Sequence, residues 1–199
     1  MNDKRKKLFA ASIMLLIGAG IAGCAKSSDD ASQKQVLKLS ASAPLDTIDI
    51  SKATGYGQTG NIFESFYRLG KDGKATPGLA KSGKVSKDGL TWTFKLRNAK
   101  WSNGDKITAD DFVYSWRRSI DPKTESPYAY LFSGVKNADE IASGKLSTDK
   151  LGIQALDKNT VQVELDKPIA YFKVLLAYPL FGPQNQKFIE KYGKKYATR

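Results

Sequence analysis

A mixed α/β fold is predicted for this chain by three observations. Two stretches of alternating hydrophobicity are each broken by an Asp-containing turn. Several further apolar patterns recur at helical spacing. The 199 residues are 41% hydrophobic and 26% charged, the balance of a globular chain long enough to bury a core. The same composition excludes whole classes of chemistry. Histidine is absent, so no Ser–His or Cys–His catalytic pair and no His-ligated zinc can form. Cys24 is the single cysteine, which excludes an intrachain disulfide and a cysteine-based cluster. No metal or cofactor is expected.

Taken in order, the chain opens with an address. Lys4, Arg5, Lys6 and Lys7 form a basic start, and Leu8 to Gly23 follow without a charge. That run is short for a bilayer core of ~30 Å, which needs ~20 apolar residues, and right for a signal peptide. It ends Ile21-Ala22-Gly23-Cys24, which resembles a bacterial lipobox, with Ile21 where leucine is usual. The thiol of Cys24 is the expected lipidation site; an ordinary signal peptide with a chance cysteine is the alternative. Ala25 to Gln35 is polar and reads as a flexible tether. The formal charge of +12 reflects scattered lysines (Lys71, Lys74, Lys81, Lys84, Lys87), a solvated surface and not a nucleic-acid patch.

Val36 to Ser40 reads as a short strand, and Pro44 to Gly60 as a glycine-bearing loop. Ile62, Phe63, Phe66 and Tyr67 share a helical face, predicting a helix over Asn61–Leu69. Lys71-Asp72-Gly73-Lys74 is a turn. Val85-Ser86 leads through Lys87-Asp88-Gly89 into Leu90–Leu96, a hairpin whose Trp92, Phe94 and Leu96 share one face. Asn103-Gly104 is another turn. Thr108 caps a helix from Ala109 to about Ser119, with Asp111 completing the box and Asp121-Pro122 ending it. Phe112, Val113, Trp116 and Ile120 form its buried face. Ala138–Ser143 reads as a helical turn, and Leu151–Leu156 with Thr160–Leu165 as a second hairpin. Helices are expected over Ile169–Ala177 and Gln184–Tyr192.

No catalytic constellation emerges. Asp110-Asp111 suits a helix N-terminus. Gly55-Tyr56-Gly57 before Gly60 has the wrong spacing for a dinucleotide loop. Trp92, Trp101 and Trp116 could stack on a ligand, but Trp92 and Trp116 lie in apolar patterns that favour core packing. The chain is not expected to be an enzyme.

The run LTWTFKLRNAKWSNGDKITADDFVYSWRRSIDPKTESPYAY, Leu90 to Tyr130, closely resembles the solute-binding proteins of peptide ABC importers, family 5. NIFESFYRLGKDGKATPGLA upstream, and LDKNTVQVELDKPIAYFKVLL and PLFGPQNQKFIEKYG downstream, follow the same family. The SWRRSIDPKTESPYA segment looks like the oligopeptide-binding branch.

The resemblance implies a periplasmic-binding-protein-like class II fold of which only the start of lobe one and the small inserted domain are present. Residues 1–23 are then a lipoprotein signal peptide and 24–35 a tether. Residues 36–60 open lobe one, 61–187 are the inserted α/β domain, and 188–199 return towards lobe one. It implies a fragment of a gene product or a truncated gene, with 36–60 loose for want of sheet partners. The implied function is capture of extended oligopeptides at the outer face of the cell membrane and delivery to the permease subunits. Thr54, Gly55, Tyr56 and Tyr128 are the residues the resemblance places against the peptide. A surface pheromone receptor using the same fold is the alternative, and a secreted hydrolase a more distant one.

Overall fold

The computed structural model describes Val36, Lys38, Ser40, residues 45–57 and residues 59–198. Cys24, the basic start and the tether lie outside the described residues, as do Leu37 and Leu39 of the strand expected at Val36–Ser40; its described residues Val36, Lys38 and Ser40 take no strand conformation. The described residues from 45 onward form one compact unit.

The unit is built on a four-stranded antiparallel sheet of order β3-β4-β6-β5, with β3 Ala80–Val85, β4 Thr91–Leu96, β5 Ile153–Asp157 and β6 Thr160–Glu164. Both expected hairpins are present. The first turns at Gly89, whose φ of +78° is one that glycine adopts without a Cβ clash. Register explains the two faces of the sheet. Phe94 lies opposite Val161, and Val161 opposite Ala155; Trp92 lies opposite Val163, and Val163 opposite Ile153. The alternate rows are polar, with Gln162 between Thr93 and Gln154.

Helix α1, Ala109–Ile120, packs on β5 and β6. Asp111 closes its capping box by accepting from the Thr108 N–H at 2.8 Å. Phe112, Trp116 and Ile120 are fully buried beneath it, as their spacing predicts. Trp116 Nε1 donates to the Phe181 carbonyl at 3.0 Å. Three shorter helices follow: α2 Ala138–Ala142, α3 Phe172–Leu175 and α4 Gln186–Tyr192.

Two expectations are corrected. The helix over Asn61–Leu69 does not form. A 3-10 turn at Thr59–Asn61 gives way to an extended chain, and β1 Tyr67–Leu69 pairs antiparallel with β2 Ala75–Pro77 around the Lys71–Lys74 turn. The Phe66 carbonyl accepts from the N–H groups of Gly78 and Ala80, so tertiary pairing consumes backbone that a helix would have used. The helix expected over Ile169–Ala177 contracts to α3, because Phe172, Ala177 and Tyr178 bond back only three residues.

The opening segment is also better held than expected. Ile50 and Ala53 are buried, Ser51 Oγ lies 2.7 Å from Ser119 Oγ, and Asp49 pairs with Arg118. Asp49 and Ser51 thus find partners on α1.

Candidate functional site

The loop that carries Thr54, Gly55 and Tyr56 has no regular structure, so its shape rests on side-chain hydrogen bonds. Asp46 Oδ2 accepts from the Thr54 N–H at 2.6 Å and from Thr54 Oγ1 at 2.7 Å. The Tyr56 hydroxyl donates to the Ile50 carbonyl at 2.9 Å. From the far side, the Tyr128 hydroxyl donates to the Thr54 carbonyl at 2.7 Å, across 74 positions of sequence. The Tyr56 and Tyr128 rings lie 5.4 Å apart. All four residues singled out from the sequence are thus brought together.

They are not equivalent. Thr54 spends its N–H on Asp46 and its carbonyl on Tyr128. Gly55 takes no backbone hydrogen bond among the described residues. A Cβ built on Gly55 would meet nothing within 4 Å, so its surface is open to close approach.

Tyr56 and Tyr128 line a cleft of about 770 Å³ that also includes Tyr130, Tyr171 and Tyr178. Local geometry explains the placement. A 3-10 turn over Ala129–Phe132 starts at Tyr128; it buries Phe132 in the core and leaves Tyr130 facing out. Tyr171 and Tyr178 flank α3, which buries Phe172 in the same way. Leu131, Val174 and Leu175 complete an apolar lining, and no described residue that lines the cleft bears a formal charge. Burial, reinforced by the neighbouring phenol of Tyr128 and the carboxylates of Asp49 and Asp46, pushes the Tyr56 hydroxyl well above its ordinary value, so it stays protonated at neutral pH. Hydrogen bonds from Thr54, and a further one from Thr47, hold the Asp46 carboxyl below the usual carboxylate range.

Such a cleft can take an apolar side chain against its walls while hydroxyls and the free backbone of Gly55 meet polar main-chain groups. Tyr130, Tyr171 and Tyr178 escape a reading of the sequence, since an exposed tyrosine leaves no periodic mark. Trp92 is half-buried and Trp116 fully buried, both in the core and away from this cleft. Among the described residues no group of three or more acidic or cysteine side chains could hold a metal ion. No described helix is long and apolar enough to cross a membrane.

Residues 74–199 match the family described as bacterial extracellular solute-binding proteins, family 5 Middle. The chain is 44% identical over 197 residues to a dipeptide-binding protein of Lactococcus lactis subsp. cremoris, covering 98% of this chain and 36% of that one. Among solved structures it resembles Listeria monocytogenes OppA bound to peptide, with a TM-score of 0.79 and 44% identity over 83% of this chain and 34% of that one. It also resembles the pheromone receptor PrgZ, with a TM-score of 0.76 and 40% identity over 80% of this chain and 32% of that one. The mixed α/β architecture is part of a periplasmic-binding-protein-like fold, and the chain spans about a third of the length of these relatives.

Proposed function

Since the chain belongs to family 5 of the bacterial extracellular solute-binding proteins, we propose that it supplies one wall of the site by which an ABC importer's binding protein captures extended oligopeptides. The observation that carries this reading is the convergence of Tyr128 and the Thr54–Tyr56 loop on an uncharged, tyrosine-lined cleft. The unbonded main chain of Gly55 pairs with the peptide backbone, which gives affinity blind to sequence. The cleft receives a side chain. No step of covalent chemistry is assigned to the chain.

In this reading residues 1–23 are a signal peptide, Cys24 is lipidated, and 24–35 tether the protein to the outer face of the cell membrane, beside the permease subunits it serves. Residues 36–60 open the first lobe, 61–187 form the inserted domain, and 188–199 lead back. Support for the anchor is the lone cysteine placed directly after small residues and an apolar run.

The test is calorimetric titration of the full-length protein carrying this sequence with a panel of short peptides of varied sequence. Dissociation constants at or below ~1 μM (about −8 kcal/mol) are expected for many of them. No binding by any peptide at ~100 μM would overturn the proposal. The likeness to PrgZ favours one second reading, a receptor for a signalling peptide. A single peptide bound far more tightly than its scrambled versions would select it.

A further inference from the structure

We propose that Arg118 is a positioning residue for the peptide-facing loop, acting on Tyr56 through Asp49 and Ile50; this rests on the peptide-binding reading of the cleft. Arg118 lies on α1, outside that cleft. Its guanidinium donates to both carboxylate oxygens of Asp49, at 2.7 and 2.6 Å, and to Gln184 Oε1 at 2.8 Å. Gln184 Nε2 in turn donates to Ser51 Oγ at 2.7 Å and Ser115 Oγ at 3.0 Å. The Arg118 and Asp49 side chains are only 17% and 5% exposed. Burying an ion pair costs desolvation that its attraction barely repays, so this arrangement is poorly explained by stability alone. What it supplies is a fixed geometry.

That geometry leads to the cleft. Asp49 and Ser51 are the two neighbours of Ile50, and the network holds both. The Asp49 carbonyl also accepts from the N–H groups of Lys52 and Ala53, which sets the turn into Thr54. The Ile50 carbonyl accepts the Tyr56 hydroxyl, the Tyr56 ring lies against Tyr128, and Tyr128 closes on the Thr54 carbonyl. Each link is one covalent neighbour, one hydrogen bond or one ring contact. With no strand or helix in residues 45–57, this chain of contacts ties the Tyr56 hydroxyl to α1, while the Tyr56 carbonyl is held separately by Thr59 and Gly60. Lysine at 118 would keep the charge but lose the planar fork that engages Asp49 and Gln184 together.

The experiment uses the full-length protein carrying this sequence, labelled with fluorotyrosine and read by fluorine NMR, with the Tyr56 signal identified by Tyr56→Phe. Arg118→Lys and Ser51→Ala are compared with Ile141→Val, a core substitution in α2 that lowers stability without touching the loop. The expected result is a displaced or broadened Tyr56 signal in the first two and an unmoved one in the third. Peptide affinity should fall about tenfold in Arg118→Lys and in Tyr56→Phe. It should fall no more than about twofold further in the double variant, because both act through one path. An unmoved Tyr56 signal in Arg118→Lys and Ser51→Ala, or a hundredfold additive loss in the double variant, would overturn the proposal. A wild-type protein that binds no peptide, with the Tyr56 signal still responding to Arg118→Lys, would instead overturn the functional reading and leave the positioning role standing.

Discussion

Two tryptophans on the same core should respond to the same substitution by very different amounts. Trp116 is fully buried, with Phe66, Phe132 and Phe181 around it at 5.3 to 6.0 Å. Its indole N–H donates to the Phe181 carbonyl, which takes no other hydrogen bond among the described residues. Trp116→Phe therefore leaves that carbonyl buried and unpaired, at about 1–3 kcal/mol. The lost ring atoms leave a small cavity, adding about 1 kcal/mol. The total is about 2–4 kcal/mol. Trp92 is half-buried, stacks on Phe94 with centroids 6.0 Å apart and touches Phe172 at 5.5 Å. Its indole N–H is buried with no acceptor. Trp92→Phe removes a donor that is already unsatisfied, and that gain offsets the lost contact area, so a change within about 1 kcal/mol is expected. Urea denaturation followed by far-UV circular dichroism, with unchanged slopes, measures both. A Trp116→Phe protein as stable as its parent, or no less stable than Trp92→Phe, would refute the reasoning.

Three further outcomes are expected. Gly152→Ala places a Cβ 2.6 Å from the Lys136 Cβ and 2.7 Å from the Glu164 carbonyl, where three backbone segments bond to one another; a loss of about 1–3 kcal/mol in urea is expected, and an unaltered midpoint would mean the segments yield freely. Burial works to raise the Asp49 carboxyl, but the hydrogen bonds and charge of Arg118, with a further bond from the Ser51 N–H, outweigh it and hold it below the usual carboxylate range. A carboxyl with a lowered folded value contributes stability that is complete above the unfolded pKa of ~3.9 and is lost as pH falls from there through the folded value, so melting temperature should be flat from about pH 5 to 8 and drop below about pH 4, less steeply in Asp49→Asn. Cys24→Ser should release the full-length protein from the membrane fraction into the medium, since two acyl chains anchor stably where none remain in the variant; retention would rule out the lipid anchor.

What could be read from the sequence is what local chemistry decides. The Asp-Gly turn at Asp88-Gly89, the Thr108–Asp111 box and the alternation from Leu90 to Leu96 each act within a few residues, and each is found where it is expected. β1 was illegible because Ile62, Phe63, Phe66 and Tyr67 fit a helical face as well as they fit their actual places. Only the partners of Phe66, at Gly78 and Ala80, decide the matter. Thr54, Gly55, Tyr56 and Tyr128 could be named through family resemblance, yet nothing in the sequence says that Thr54 has both backbone groups occupied. The Asp49–Arg118 pair spans 69 positions, and charge alone gives no means of choosing Asp49 among the acidic residues.

On the proposed peptide-binding reading, the occupied backbone of Thr54 also bears on how an irregular loop can serve a sequence-tolerant binder. Ordering a residue costs about 1–2 kcal/mol of backbone entropy, and a loop ordered only on contact would take that from the affinity for every peptide. Here Asp46, Tyr128 and the Tyr56–Ile50 bond fix the loop within the folded chain, so the cost belongs to folding. What remains for a ligand is the unbonded main chain of Gly55 and an uncharged cleft beside it. A peptide backbone offers the same groups whatever its sequence. Neutral phenols and aliphatic walls have no fixed charge with which to reject or demand one. On that reading, discrimination at this wall rests on the size and apolarity of one side chain. Any anchoring of a peptide's charged terminus must come from groups other than those that line this cleft.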